Sequence, residues 1–135
     1  MKINEKFVID TNVLIYSFDQ SSQFFNFSKK IIDENKENLC IVHKTLSEFV
    51  CVLSKIGKYE VVKNELPKII NNFNILFPDF ESTNIFNDLV KKYNPKGNQA
   101  YDFEIASVMI ANNIKKIATI NKNDFELISE LELIS

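Results

Sequence analysis

Short apolar runs alternate with amphipathic segments along the whole of this chain, and that alternation limits its fold more than any other feature. Residues 7–9, 39–42, 75–77 and 117–120 read as buried strands, and residues 131–134 as a fifth. Between them the apolar positions shift to helical spacing. Leu46, Phe49, Val50 and Leu53 follow i, i+3, i+4, i+7, with Gly57 as the expected stop. Further helices are expected over 13–18, from a Ser21 or Ser22 cap to about Lys36, over 58–72, 82–93 and 101–112. Pro67 is expected to kink or divide the fourth of these helices. Residues 94–98, Asn-Pro-Lys-Gly-Asn, form a loop. Only two Gly and three Pro occur in 135 residues, too few for the frequent turns of an all-β sandwich. The pattern therefore predicts an α/β fold: a mostly parallel four- to five-stranded sheet flanked by helices on both faces.

The length suits one domain, 1–135, and the twelve Phe can fill its core. No run is long enough to span a bilayer, and the N-terminus lacks the apolar segment of a signal peptide. A cytoplasmic protein without membrane attachment is expected. Cys40 and Cys51 both read as small buried thiols rather than a disulfide or metal pair. The net charge of −2 is no signature of a nucleic-acid binder. Every basic residue counted is Lys, so phosphate contacts would use ammonium groups or backbone amides instead of guanidinium forks.

Four acidic residues fall where a parallel sheet would collect them. Asp10 closes the first apolar run, and Asp124 follows the fourth. Glu48 and Asp102 are expected in the first turns of helices, where the positive end of the helix dipole favours ionised carboxylates. In open parallel sheets, ligands bind beyond the carboxyl ends of the strands. Asp102 also lies in line with Ile105, Ala106 and Met109, so it continues a core-facing stripe and needs a partner or a metal. Each residue has an ordinary alternative as a cap, a turn residue or a dipole partner. Together, crowded carboxylates suggest a hard divalent cation, Mg²⁺ or Mn²⁺, and phosphodiester hydrolysis. His43, Lys44 and Tyr101 are further candidate substrate contacts.

Four blocks carry a resemblance. They are Phe7-Val8-Ile9-Asp10-Thr11-Asn12-Val13-Leu14, Leu46-Ser47-Glu48-Phe49, Asp102-Phe103-Glu104-Ile105-Ala106 and Ala118-Thr119-Ile120-Asn121-Lys122-Asn123-Asp124-Phe125. In this order, the chain resembles the PIN domain, particularly the VapC-type toxins. The resemblance implies a PIN-like three-layer sandwich and a metal-dependent endoribonuclease. It implies Asp10, Glu48, Asp102 and Asp124 as the catalytic, metal-holding residues for Mg²⁺ or Mn²⁺. It also implies Asn12 and Thr119 as neutral residues that orient them, and Asn121 at a place where relatives often carry Asp or Asn. The implied reaction is in-line attack of water on an RNA phosphodiester. A cognate antitoxin and a homodimer are the implied partners. Two other readings stay open: a catalytically silent PIN-like RNA-binding or assembly module, and a phosphatase with a strand-end Asp nucleophile. The latter normally has a second Asp where this chain has Asn12.

Overall fold

The computed structural model describes all residues, Met1–Ser135. Strand β1 (Phe7–Ile9) leads into helices α1 (Thr11–Tyr16) and α2 (Phe25–Glu34), then β2 (Leu39–Val42). Helices α3 (Lys44–Lys55) and α4 (Tyr59–Asn72) precede β3 (Asn74–Leu76). Helices α5 (Phe80–Tyr93) and α6 (Gln99–Ala111) return the chain to β4 (Lys116–Ala118), and β5 (Glu132–Ile134) closes it. All four strand pairings are parallel, in the order β3-β2-β1-β4-β5. The strand count and the parallel sheet are as the apolar pattern predicts.

The three layers follow from the two-residue period of a strand. Phe7, Ile9, Leu39 and Ile41 point to one face and pack with Val13, Leu14, Ile31, Phe49, Leu53 and Ile69 from α1 to α4. Val8, Cys40, Val42 and Ile117 point to the other face, against Leu89 of α5 and Phe103, Ala106 and Met109 of α6. Helix α6 is apolar around most of its circumference, because it lies between the sheet and α5. This explains how Phe103, Ile105, Ala106, Val108 and Met109 are all buried on one helix.

The structure corrects four local expectations. Helix α2 begins at Phe25, without a side-chain cap. Ser22 instead accepts from the Phe24 N–H at 3.0 Å, and Ser21 bonds Asp19, so both serines shape the turn before the helix. The helix ends at Asn35, whose side chain accepts from the Ile3 N–H and donates to the Ile31 and Met1 carbonyls. Pro67 does not divide α4, since it faces solvent, where the carbonyl left without a helical donor can be hydrated. Cys51 is exposed on the outer face of α3, and only Cys40 is buried. Helix α3 starts at Lys44, directly off the end of β2, which places Glu48 in the second turn and away from the amino-terminal field expected for it.

Two substitutions test this packing. Phe103→Ala removes a fully buried ring and is expected to cost about 3–5 kcal/mol. Ser28 is fully buried, and its hydroxyl has no partner. Ser28→Ala removes that unsatisfied group and is expected to raise stability by about 1 kcal/mol. Urea denaturation of the two variants measures both changes. A loss of stability in Ser28→Ala would mean that the hydroxyl is bonded in the native protein.

Candidate active site

The sheet order puts the topological switch at β1. The chain runs outward from β1 through β2 to β3, then returns to β4 on the other side. The connections after β1 and β4 therefore diverge and leave a crevice at their carboxyl ends. Asp10 is the first residue beyond β1. Its N–H still donates to the Ala118 carbonyl at 2.9 Å, which holds it at the mouth of that crevice. Asp10 is also the cap residue of α1, and its Oδ1 accepts from the Thr11 N–H at 2.8 Å. Its other oxygen, Oδ2, accepts from the Thr119 hydroxyl at 3.2 Å, just past β4. Thr119 in turn accepts from the Asn121 N–H at 3.1 Å.

Glu48 enters from α3. The Thr11 hydroxyl donates to its Oε1 at 3.1 Å and lies 3.4 Å from the Thr45 hydroxyl oxygen. Thr11 is thus the hinge of the arrangement, with its amide on one carboxylate and its hydroxyl on another. Sequence pattern alone gives Thr11 no such role; its place beside Asp10 at a helix start is the one signal that points to it. Asn12, expected to help orient the carboxylates, is half-buried and makes no hydrogen bond to any of them. Asp102 sits in the first turn of α6, and Asp124 ends the 3-10 turn Lys122–Asp124 that follows β4.

Electrostatics link all four carboxylates. Burial pushes Asp10 up to about 6, with the charges of Glu48 and Asp124 adding to the shift. The Thr11 amide and Thr119 hydroxyl pull in the opposite direction. Burial pushes Asp102 up to about 7, reinforced by Asp124, Asp10 and Glu48 and opposed by Lys44. Lys44 lies 3.4 Å from Glu104 Oε2 and stands over the Tyr101 ring. His43 is exposed and stacks with Phe77. No three His, Cys, Asp or Glu side chains are drawn close enough to form a ready ligand shell. The carboxylates lie near enough to act on one another's charge, but their side chains are not closed around one point. Chemically, such a donor set of hard oxygens matches a divalent cation, whose charge would remove the repulsion among them.

A sequence model described as "PIN domain" matches residues 7–131. No curated protein matches the chain. Among solved structures, VapBC2 from Rickettsia felis, bound to a DNA fragment from its promoter, is similar at TM-score 0.73 and 23% identity over 99% of this chain and 98% of that one. A toxin–antitoxin complex from Klebsiella pneumoniae is similar at TM-score 0.71 and 20% identity, covering 96% and 97%. VapC20 from Mycobacterium tuberculosis, described as a sarcin-ricin loop cleaving toxin, has TM-score 0.75 at 8% identity, covering 90% and 94%. At these identities the likeness is one of fold.

The raised carboxylates have a consequence for stability. Below the unfolded value near 3.8, Asp10 holds its proton in both states and carries no penalty. As pH rises, the unfolded chain ionises first, and native stability falls until Asp10 itself ionises at about 6. Asp10→Asn keeps the shape and removes the charge. In EDTA its melting temperature is expected to exceed that of the unsubstituted protein at pH 7, with the difference vanishing near pH 3.5. A difference that grew toward acid pH would contradict the assigned direction.

Proposed function

The chain belongs to the PIN domain family, and from that premise we propose that it is a metal-dependent endoribonuclease that hydrolyses RNA phosphodiesters, acting as the toxin of a toxin–antitoxin pair. The observation that carries this reading is that Thr11 and Thr119 tie Asp10 and Glu48 together at the switch point of the sheet, with Asp102 and Asp124 near enough for their charges to be felt there. A purely structural set of acids would be expected to have a cationic partner for each member; only carboxylate charges act on Asp10, and Lys44 is the one cation that acts on Asp102. The similarity to toxins solved with their antitoxins supports an antitoxin as partner. The toxin described as cleaving the sarcin-ricin loop supports RNA as substrate.

In this reading the four carboxylates hold Mg²⁺ or Mn²⁺. Such an ion supplies Lewis-acid stabilisation of charge on the phosphoryl group and makes water more acidic. The protein's own contribution is orientation and charge. Thr119 and the Thr11 amide fix the two oxygens of Asp10, and the Thr11 hydroxyl fixes Glu48. Burial keeps water from Asp10 and strengthens its field, while Glu48, Asp102 and Asp124 are half-buried at its side. Asp10 and Asp102 share a charge-crowded crevice, so each remains partly protonated near neutrality without a cation. Cation binding and proton release are therefore linked.

Incubation of the purified protein with total RNA and Mg²⁺ or Mn²⁺, followed by mapping of new 5′ ends, tests the reading. Discrete cuts that disappear in EDTA and in Asp102→Asn are expected. Thr119→Val, which leaves every carboxylate in place but removes the donor to Asp10, is expected to slow cleavage about 10- to 100-fold. Intact RNA under all metal conditions, together with RNA binding, would favour the silent RNA-binding module.

A further inference from the structure

Beside the carboxylates runs a short row of side chains with a different chemistry. The Lys44 ammonium lies 3.7 Å from the centroid of the Tyr101 ring. His43, its neighbour in the chain, packs on Phe77 with ring centroids 4.9 Å apart and planes 31° from parallel. Tyr101 is 56% exposed and Phe77 58% exposed, so neither ring serves the core. The row is tied to the acidic crevice at two points. Tyr101 directly precedes Asp102 on α6. Lys44 lies four residues before Glu48 on α3, one turn away on the same face.

We propose that Tyr101, Lys44 and the His43–Phe77 pair form the surface that seats unpaired RNA bases beside the carboxylates. The inference rests on the ribonuclease reading and specifies how its substrate is held. Unpaired bases expose flat faces that stack on aromatic rings, and cations between those rings take the backbone phosphates. A duplex keeps its bases stacked on each other and offers no such faces. Lys44 suits the phosphate role although it has a partner. Its pair with Glu104, at 3.4 Å, is a rim contact with a half-open carboxylate, and pairs of that kind are weak. A phosphate can displace Glu104 at little cost. Lys44 is also held by the Tyr101 ring, which restricts its long side chain before substrate arrives. The absence of Arg from the chain leaves lysine as the side chain able to play this part.

The test uses the protein carrying Asp10→Asn, which keeps the RNA whole, and a short labelled single-stranded oligoribonucleotide in Mg²⁺. Fluorescence anisotropy is expected to show Tyr101→Leu and Lys44→Ala each weakening binding at least about fivefold, the loss of one stacking contact or its cation. Lys44→Arg and Tyr101→Phe are expected to retain binding. The chain has no Trp and four Tyr, so its emission comes from tyrosine, with Tyr101 one of the four sources. Emission is expected to fall when RNA binds, and that fall is expected to shrink in Tyr101→Phe, which still stacks but no longer reports. A duplex of the same sequence is expected to bind more weakly and to be indifferent to Tyr101→Leu. Binding by Tyr101→Leu and Lys44→Ala equal to the parent overturns the inference, as does equal affinity for duplex and single strand. If the unsubstituted protein cleaves RNA while those variants bind normally, the inference alone fails. If it neither binds nor cleaves RNA, the ribonuclease reading fails with it.

Discussion

Everything in the crevice depends on the burden of holding like charges together in a partly dry place. A carboxylate moved from water to a protein interior loses hydration, and a second one beside it adds repulsion. Asp10 and Asp102 carry both penalties, which is why both titrate far above an ordinary aspartate. The fold offsets part of this with dipoles. The Thr11 amide and Thr119 hydroxyl meet Asp10, the Thr11 hydroxyl meets Glu48, and Lys44 lowers the field at Asp102. What remains uncompensated is the charge that the proposed divalent cation would neutralise.

The sheet makes that crowding unavoidable. Because β1 is central and fully buried, the first residue beyond it cannot leave the protein and becomes the cap of α1. Because β4 lies directly beside β1, Thr119 comes within a hydrogen bond of Asp10, although 109 residues separate them in sequence. Helices α3 and α6 belong to opposite layers, yet each begins near the same strand ends and brings one acid. The site is therefore a product of topology, and its parts are stabilised by two separate hydrophobic layers.

The parts of this arrangement written in local pattern were legible in the sequence. Strand runs such as Leu39-Cys40-Ile41-Val42 are too apolar for any other place, and Ile105, Ala106 and Met109, in line with Asp102, are all buried, although Phe103 and Val108 off that line are buried as well. Element boundaries were less legible. Helix α3 begins at Lys44 without a capping side chain, so nothing in its composition announces the start, and Glu48 lies one turn further into the helix than the pattern predicts. Local pattern does not mark Thr11, because its role is divided between backbone and hydroxyl and depends on α3 packing on α1. Cys51 follows the helical rhythm of α3, but the face it occupies is decided by the layers rather than by its own character.

The four carboxylates are proposed to act as one cation site, and Mn²⁺ binding tests this most directly. The measurement is the thermal stability and Mn²⁺ affinity of the unsubstituted protein, of Asp10→Asn and of Asp124→Asn, with no RNA present. Saturation at about 100 times the dissociation constant stabilises a one-site protein by about 2.7 kcal/mol. The account predicts a stabilisation of that order in the unsubstituted protein, and its loss in either variant, even though the two residues follow different strands. A melting temperature indifferent to millimolar Mn²⁺, or a shift of equal size in the unsubstituted protein and Asp10→Asn, would contradict it.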